Sequence, residues 1–202
     1  MRTRELANAR LEGYLVLRDE PGPSAAQDLA DRVAHLIAQA GPALDAGGGT
    51  VYLPGLRDDP LIARSFCRPP LVEALRFLLG GEPDVVDVRY RSPKPRGGGA
   101  QTLHRDQPWP LPDGKWAATT VIIGLVEFRV DNGAPRLVAG SHRDRQAWSG
   151  RGPADRHPRE IHLTGPAGSS FIFTGACLHS GTANHSQVER PGIQVTLVAR
   201  LA

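Results

Sequence analysis

Residues 193–199 read IQVTLVA, and apolar side chains at every second position alternate there with the polar Gln194 and Thr196. In a β-strand, successive side chains point to opposite faces of the sheet. This stretch therefore predicts a strand with one apolar face and one polar face.

Other strand candidates precede this stretch from residue 84 onward, where short apolar runs are separated by Gly, Pro, Asn and Asp. We predict strands at residues 85–90, 100–104, 118–126, 160–163, 170–176 and 193–199, and a further short one at residues 14–17. Strands at this spacing without intervening helices favour an antiparallel sandwich or a small barrel.

The first half of the chain carries most of the helical signal. Residues 24–27 have the S-x-x-Q spacing of a capping box, and apolar residues within 29–37 follow at helical spacing. A second helical stretch at residues 61–67 is interrupted by two prolines and resumes at residues 71–79, before two glycines. We therefore expect a mainly β fold with helices packed outside it.

Composition excludes several classes of protein. With 202 residues, 40% hydrophobic and 22% charged, the chain is typical of one globular domain, so we predict a single domain over residues 1–202. The net charge of +3 comes from scattered basic residues, so we expect no nucleic-acid partner. No apolar run is long enough to span a membrane, and the charged start of the chain does not resemble a secretory signal. We expect a cytoplasmic protein that does not bind membranes.

Two His-x-Asp triplets are candidates for metal binding. Residues i and i+2 of a strand point to the same side, so His104 and Asp106 at a strand end could offer a nitrogen and an oxygen to one metal ion. His142 and Asp144 follow a turn-rich Gly-Ser, and there we expect polar residues that are solvated or that hold a loop.

A third ligand is available at His179, which ends the apolar run of residues 171–178 and would lie at the mouth of a barrel strand. Two histidines and one carboxylate leave open positions on a metal, an arrangement that suits Fe(II) enzymes. Taken alone, His179 also fits a partly buried structural histidine.

Arg190 follows His179 by eleven residues, just before the final strand. A guanidinium holds a carboxylate by two parallel hydrogen bonds and stays charged. Arg190 is therefore a candidate anchor for a dicarboxylate such as 2-oxoglutarate.

Taken together, the motifs QTLHRD (101–106), DNGAPRLVAGSHR (131–143) and HSGTANHS (179–186), followed by Arg190, resemble the phytanoyl-CoA dioxygenase family of Fe(II)- and 2-oxoglutarate-dependent oxygenases. The resemblance covers roughly residues 8–200 and is strongest to natural-product tailoring members. It implies a double-stranded β-helix, that is, a cupin-like jelly-roll, flanked by helices.

The resemblance also assigns roles to individual residues. It implies iron at His104, Asp106 and His179, and the distal carboxylate of 2-oxoglutarate at Arg190. In the subgroup, a glutamine three residues before the first histidine contacts the co-substrate, and Gln101 stands at that offset.

The sequence departs from the family pattern at several positions. Ala139 replaces the common proline, Pro135 stands where relatives often carry a co-substrate-binding threonine, and residues 180–182 replace Gly-Ser-Gly. Hydroxyl contacts to 2-oxoglutarate would then come from other residues, with Thr182 or Thr120 as candidates.

The function implied by the resemblance is oxidation of a small-molecule, natural-product substrate with dioxygen, releasing succinate and CO2. Because related halogenases carry Ala or Gly in place of Asp106, a carboxylate there favours hydroxylation. One alternative is a catalytically silent metal-binding jelly-roll that acts as a ligand-binding or regulatory subunit. Another is a zinc hydrolase with the same ligands, which gives no reason for Arg190.

Residues near the first motif are candidates for the substrate pocket. Trp109 and Trp116 could wall such a pocket or merely cover the barrel mouth. Arg89, Tyr90 and Arg105 could also approach a substrate.

Overall fold

A computed structural model describes residues 3–41, 44–45, 47–106, 115–144, 148, 150 and 152–200. The helices are α1 (Thr3–Glu12), α2 (Pro23–Ala40), α3 (Pro60–Phe66) and α4 (Pro69–Leu79), and Ser141–Arg143 form a short 3-10 helix. The strands are β1 (Tyr14–Leu17), β2 (Leu44–Asp45), β3 (Thr50–Leu53), β4 (Pro83–Pro93), β5 (Ala118–Gly124), β6 (Arg136–Val138), β7 (Glu160–His162), β8 (Ser170–Thr174), β9 (His179–Ser180) and β10 (Gly192–Ala199).

The strands form two antiparallel sheets. The larger sheet has the order β1-β8-β5-β10-β4-β3-β2, and the smaller one has the order β7-β6-β9. A single antiparallel bridge between His104 and His179 adds one more segment beside β9. The arrangement is the predicted jelly-roll, in which two antiparallel sheets enclose an interior and helices cover the larger sheet.

Strand β10 has the two faces that its sequence predicts. Ile193, Val195 and Leu197 are buried in the core cluster that the helices cover. Burying an apolar side chain of this size stabilises the fold by about 1.5–3 kcal/mol. The polar side chains of β10 therefore face the interior of the jelly-roll, where Gln194 lines a cavity.

Strand β5 shows the same alternation between the two cores. Val121 and Ile123 belong to the helix-covered core, whereas Ile122 belongs to a second cluster with Phe128 and Phe171. The rings of Phe128 and Phe171 stack with their centroids 4.9 Å apart. This inner cluster forms the apolar part of the barrel interior.

Prolines begin three of the described helices, namely α2, α3 and α4. The predicted capping box at residues 24–27 is wrong, because α2 already begins at Pro23 and its cap residue Gly22 offers no side chain. Proline suits the first helical turn because a backbone N–H there has no acceptor within the helix, and proline has no N–H. Pro69 begins α4 in the same way, and Gly80 ends that helix with a left-handed φ of 72°, as predicted. Among the described residues, no helix combines the length and apolarity needed to cross a bilayer.

Five of the six strands predicted beyond residue 84 are present, and so is the one at residues 14–17. The strand predicted at residues 100–104 is wrong. The N–H of Gln101 donates to the Gly181 carbonyl and that of His104 to the His179 carbonyl, both at 3.0 Å. The segment therefore lies beside residues 179–181 with isolated hydrogen bonds and no regular ladder.

Candidate active site

Three side chains from distant parts of the chain converge at one end of the barrel interior. Atoms of His104, Asp106 and His179 that could bind a metal all lie within 4.8 Å of one another. The Asp106 carboxylate lies 3.7 Å from Nε2 of His104 and 3.5 Å from Nε2 of His179. The structure thus brings together the three residues predicted from the sequence.

Backbone hydrogen bonds hold this triad in place. His104 and His179 form an antiparallel bridge, which puts their side chains next to each other with ring centroids 4.6 Å apart. The N–H of Asp106 donates to the carbonyl of Gly175 at 2.8 Å, which fixes the carboxylate beside the two rings.

Both imidazoles are oriented by backbone carbonyls. Nδ1 of His104 lies 2.9 Å from the Thr102 carbonyl, and Nδ1 of His179 lies 2.9 Å from the Cys177 carbonyl. Since a carbonyl only accepts, each Nδ1 carries a proton, and in a neutral ring Nε2 then holds the lone pair that a metal ion needs. Metal-binding histidines are commonly oriented by such a hydrogen bond.

The environment of His179 favours the neutral ring that a metal requires. Its side chain is only 12% exposed, and the Phe173 ring lies 4.7 Å away between centroids. Burial lowers the pKa of His179, although the nearby Asp106 carboxylate opposes this shift. The ring therefore stays unprotonated at neutral pH and is able to donate its lone pair.

The donor set fits a non-haem iron ion. Two imidazole nitrogens and one carboxylate oxygen are the ligands of the facial triad in Fe(II) oxygenases. They open onto a cavity of about 190 Å³. Its other lining residues include Tyr52, Arg89, Arg91, Gln101, Ile122, Pro135, Phe173, Ser180, Gly181 and Gln194.

Arg190 is a buried cation without an acidic partner in the described part of the chain. Its guanidinium carbon lies 4.2 Å above the centre of the Phe128 ring, and its Nε is buried without a hydrogen bond. Burial, with a further contribution from Arg91, lowers the pKa of Arg190 to about 9. Arg190 is not among the side chains that line the 190 Å³ cavity. An anion would relieve the cost of this buried charge.

Gln101 lies at the cavity as predicted, whereas the two threonines do not line it. The Oε1 of Gln101 accepts from Arg91 at 2.9 Å and from the N–H of Gly181 at 3.1 Å. The hydroxyl of Thr182 instead donates to the Ala134 carbonyl at 2.7 Å. Thr120 is buried on β5, opposite Phe173 on β8, and so shares the inward face.

Several other predicted residues have structural roles. Trp116 is fully buried in the helix-covered core and does not wall the cavity, and Trp109 lies outside the described residues. Tyr90 also packs into that core. Nε2 of His142 lies 2.9 Å from the carbonyl of Arg10, so this histidine holds a loop, in agreement with the prediction for it.

Arg105 supports the metal triad without facing the cavity. One NH group donates to the carbonyls of Ser141, at 2.7 Å, and Ala176, and the other donates to the carbonyl of Asp144 at 3.1 Å. Because Arg105 stands between His104 and Asp106 in the sequence, these hydrogen bonds fix the backbone between the two ligands.

Several cavity residues are not site candidates on the sequence alone, among them Tyr52, Arg91 and Gln194. The sequence VDVRYR at residues 86–91 alternates apolar or aromatic residues with charged ones. Since Val88 and Tyr90 enter the helix-covered core, the same alternation turns Arg89 and Arg91 inward. This alternation of charged and apolar residues is the sequence signal from which the inward position of Arg91 could be predicted.

The fold resembles solved structures from natural-product pathways. The epimerase SnoN from nogalamycin biosynthesis, crystallised with Fe3+, alpha-ketoglutarate and nogalamycin RO, superposes with a TM-score of 0.78. The match covers 97% of this chain and 82% of SnoN at 17% sequence identity.

Sequence relatives include fungal dioxygenases. Dioxygenase ALT11 of Alternaria alternata is 30% identical over 164 residues, which cover 75% of this chain and 51% of ALT11. Dioxygenase olcK of Penicillium canescens is 34% identical over 103 residues, which cover 48% of this chain and 33% of olcK. The chain thus spans about a third to about half of the length of these relatives. The profile of the phytanoyl-CoA dioxygenase (PhyH) family matches residues 9–192, which include all three metal-binding candidates and Arg190. The chain therefore belongs to the PhyH family.

Proposed function

We propose that this protein is an Fe(II)/2-oxoglutarate-dependent dioxygenase in which residues 1–202 form one catalytic domain. It hydroxylates a small molecule of a natural-product pathway with dioxygen and releases succinate and CO2. The observation that carries the proposal is the convergence of His104, Asp106 and His179 at a cavity.

The protein's own side chains supply binding and orientation. His104, Asp106 and His179 would hold the iron through two Nε2 atoms and a carboxylate oxygen, and Arg190 would bind a carboxylate of 2-oxoglutarate. When bound, the iron supplies activation of dioxygen coupled to decarboxylation of the co-substrate. Ile122 and Phe173 contribute apolar side chains to the lining of the triad cavity.

An adjoining cavity gives room for the substrate. It has a volume of about 500 Å³, within the range of small-molecule sites. It shares Tyr52, Arg89 and Gln101 with the triad cavity, so a ligand in it would lie beside the metal ligands. The neighbour SnoN binds nogalamycin RO, which supports a small-molecule substrate here.

The proposal includes a cytoplasmic location and no nucleic-acid or membrane partner. Cys67 and Cys177 are free thiols, and free thiols are usual in reducing compartments.

The test is to add Fe(II) and 2-oxoglutarate to the purified protein without oxygen and record the visible spectrum. We expect a weak charge-transfer band, followed by succinate release when oxygen is admitted. Arg190→Ala should weaken 2-oxoglutarate binding and leave the metal affinity intact. No band and no succinate from iron-loaded protein would instead support a silent metal-binding jelly-roll.

A further inference from the structure

The triad cavity and the adjoining cavity of about 500 Å³ meet at an arginine of β4. Arg89 lines both cavities, together with Tyr52 and Gln101. Arg91, two residues later, lines the triad cavity but not the adjoining one. A molecule that fills the adjoining cavity and extends to the metal ligands must therefore pass beside Arg89.

Arg89 gives the adjoining cavity its charge. The other described residues of its wall carry no charge, namely Gly47, Gly48, Thr50, Tyr52, Pro54, Gly99, Ala100 and Gln101. Among the described residues, no carboxylate lines this cavity. The cavity thus offers an uncharged surface for the body of a ligand and one cationic group at the end nearest the metal ligands.

Asp87 orients this cationic group without entering either cavity. Its Oδ2 accepts from Nε of Arg89 at 2.5 Å and lies 2.5 Å from a terminal NH2 nitrogen of the same guanidinium. Asp87 is absent from the lining of both cavities. The carboxylate therefore holds one edge of the planar fork, and the opposite terminal nitrogen has no acceptor within the described part of the chain.

The remaining N–H groups of Arg89 are accessible and fixed in direction. The side chain is 41% exposed, so a ligand in the cavity can reach them. Because Asp87 already restricts the guanidinium, little further ordering is needed when a ligand binds. Guanidinium donors form their strongest hydrogen bonds with ionised oxygen atoms, about twice as strong as those with neutral acceptors. The ligand group that best fits Arg89 is therefore an acidic oxygen group.

We propose that the substrate carries an acidic oxygen group, such as a carboxylate or an ionised phenol or enol, and that Arg89 binds this group. This inference rests on the proposed function. An acidic group on Arg89 places the neighbouring carbon atoms of the substrate at the triad cavity and the remainder of the molecule in the adjoining one. Arg89 thereby determines which molecules are oxidised and which of their carbon atoms lies nearest the metal ligands.

The test is calorimetric titration of protein loaded with Mn2+ and saturated with 2-oxoglutarate, using 1-naphthoate and 1-naphthamide as probes. The two probes have nearly the same shape and differ in charge, and the bound co-substrate keeps naphthoate out of the co-substrate's own site. We expect naphthoate to bind about ten- to a hundredfold more tightly than naphthamide, the usual effect of a charged hydrogen bond.

Variants of Arg89 assign this preference to one residue. Arg89→Gln should lower naphthoate affinity by about the same factor and leave naphthamide affinity unchanged. Arg89→Lys, which keeps the charge and loses the planar fork, should fall between this variant and the wild type. The control is Arg129→Gln, at an exposed arginine that also pairs with an aspartate two residues away. It should bind both probes like the wild type.

The titrations separate the possible failures. If the wild type binds no 2-oxoglutarate, the proposed function is wrong, and this inference is wrong with it. If 2-oxoglutarate binds but naphthoate shows no advantage over naphthamide, or neither probe binds, only the inference is wrong. It is also wrong if Arg89→Gln keeps the preference, or if this variant loses 2-oxoglutarate affinity, since Arg89 would then hold the co-substrate. Mn2+ affinity checks the fold, and Arg89→Lys decides by the same criteria if Arg89→Gln binds no Mn2+.

Discussion

His104 and His179 exchange both backbone hydrogen bonds of an antiparallel pair. The N–H of His104 donates to the His179 carbonyl at 3.0 Å, and the N–H of His179 donates to the His104 carbonyl at 2.9 Å. Directly opposed residues of an antiparallel pair project their side chains to the same face. The backbone therefore brings these two metal-ligand candidates together, although 75 positions separate them in the sequence.

Removing one ligand should strongly weaken metal binding and leave the fold intact. His104 is 42% exposed, and its backbone bridge does not depend on the side chain, so His104→Ala should fold normally. We expect Mn2+ affinity, measured by calorimetry, to fall by more than about a hundredfold. Even the loss of a residue that only orients a metal ligand lowers metal affinity by about 10–100-fold. The exposed His185 provides the control, and His185→Ala should bind Mn2+ like the wild type. Equal affinity in both variants would contradict the assigned ligand set.

The hydrogen bonds of Arg105 predict an indirect effect on the metal. Arg105→Lys keeps the charge, but the lysine cannot reach the three carbonyls that the guanidinium bonds. These carbonyls belong to Ser141, Asp144 and Ala176. We expect Mn2+ affinity to fall by about 10–100-fold, as for other residues that orient metal ligands. Arg143→Lys, at an exposed neighbouring arginine, should leave the affinity unchanged. Calorimetric titration of both variants decides the matter, and an unchanged affinity for Arg105→Lys would show that the ligands need no such support.

The metal ligands could be predicted because their chemistry is visible in single residues and short motifs. A His-x-Asp triplet and a histidine after an apolar run specify donor atoms without knowledge of strand register. The role of Arg89 could not be read in the same way, since it depends on how two cavities meet at this side chain.

Local hydrogen bonding set the limits of the fold prediction. The alternation of apolar residues in β10 predicts its two faces correctly, because burial of the apolar side chains determines which face of the strand is turned to the helix-covered core. The serine within residues 24–27 was mistaken for a cap because Pro23 starts the helix one position earlier. Strand β9 comprises only His179–Ser180, too short for any periodicity to appear in the sequence.

A buried arginine on β6 should contribute strongly to stability. Arg136 is 1% exposed, pairs with Glu160 at 3.1 Å, and donates from Nε to Ser180 Oγ at 2.8 Å, next to His179. Arg136→Gln removes this buried ion pair together with the hydrogen bonds that Arg136 donates to the carbonyls of Pro153 and Asp155, so we expect a loss of about 3–5 kcal/mol in the free energy of unfolding. Urea denaturation followed by circular dichroism measures this loss.

The same carboxylate offers an exposed partner for comparison. Arg156 pairs with Glu160 at 2.6 Å, but its side chain is 64% exposed. Arg156→Gln should cost no more than about 1 kcal/mol, as is usual for exposed ion pairs. Similar losses in the two variants would mean that burial does not determine the strength of this network.

The two thiols should differ sharply in reactivity. Burial raises the pKa of Cys177 to about 11, and the residue is fully buried, whereas Cys67 is exposed. The thiolate is the reactive form, so Cys177 should resist alkylation at pH 8. We expect iodoacetamide to modify one thiol in the native protein, at Cys67 by mass spectrometry, and both thiols in urea. Rapid native modification of Cys177 would show that it is accessible.

The buried His142 should make the protein less stable in mild acid. Burial lowers the pKa of His142 below its ordinary value of 6.5, while its ring nitrogens lie 2.9 Å from the Arg10 carbonyl and 3.5 Å from Cys177 Sγ. Above about pH 6.5 the ring is neutral in both the folded and unfolded chain, so it contributes no pH dependence there. Below that pH the unfolded chain takes up a proton that the folded chain does not, and the free energy of unfolding falls by up to about 1.4 kcal/mol per pH unit from this residue.

Urea denaturation of metal-free protein between pH 7.5 and pH 5 measures this fall. His142→Gln, which keeps a donor for the Arg10 carbonyl and does not titrate, should show a smaller slope than the wild type. Some slope remains because burial also lowers the pKa of His157, His162 and His179. His185→Gln, at an exposed histidine, should keep the wild-type slope. If His142→Gln keeps it too, protonation of His142 does not oppose folding, and the ring must be free to become charged in the native protein.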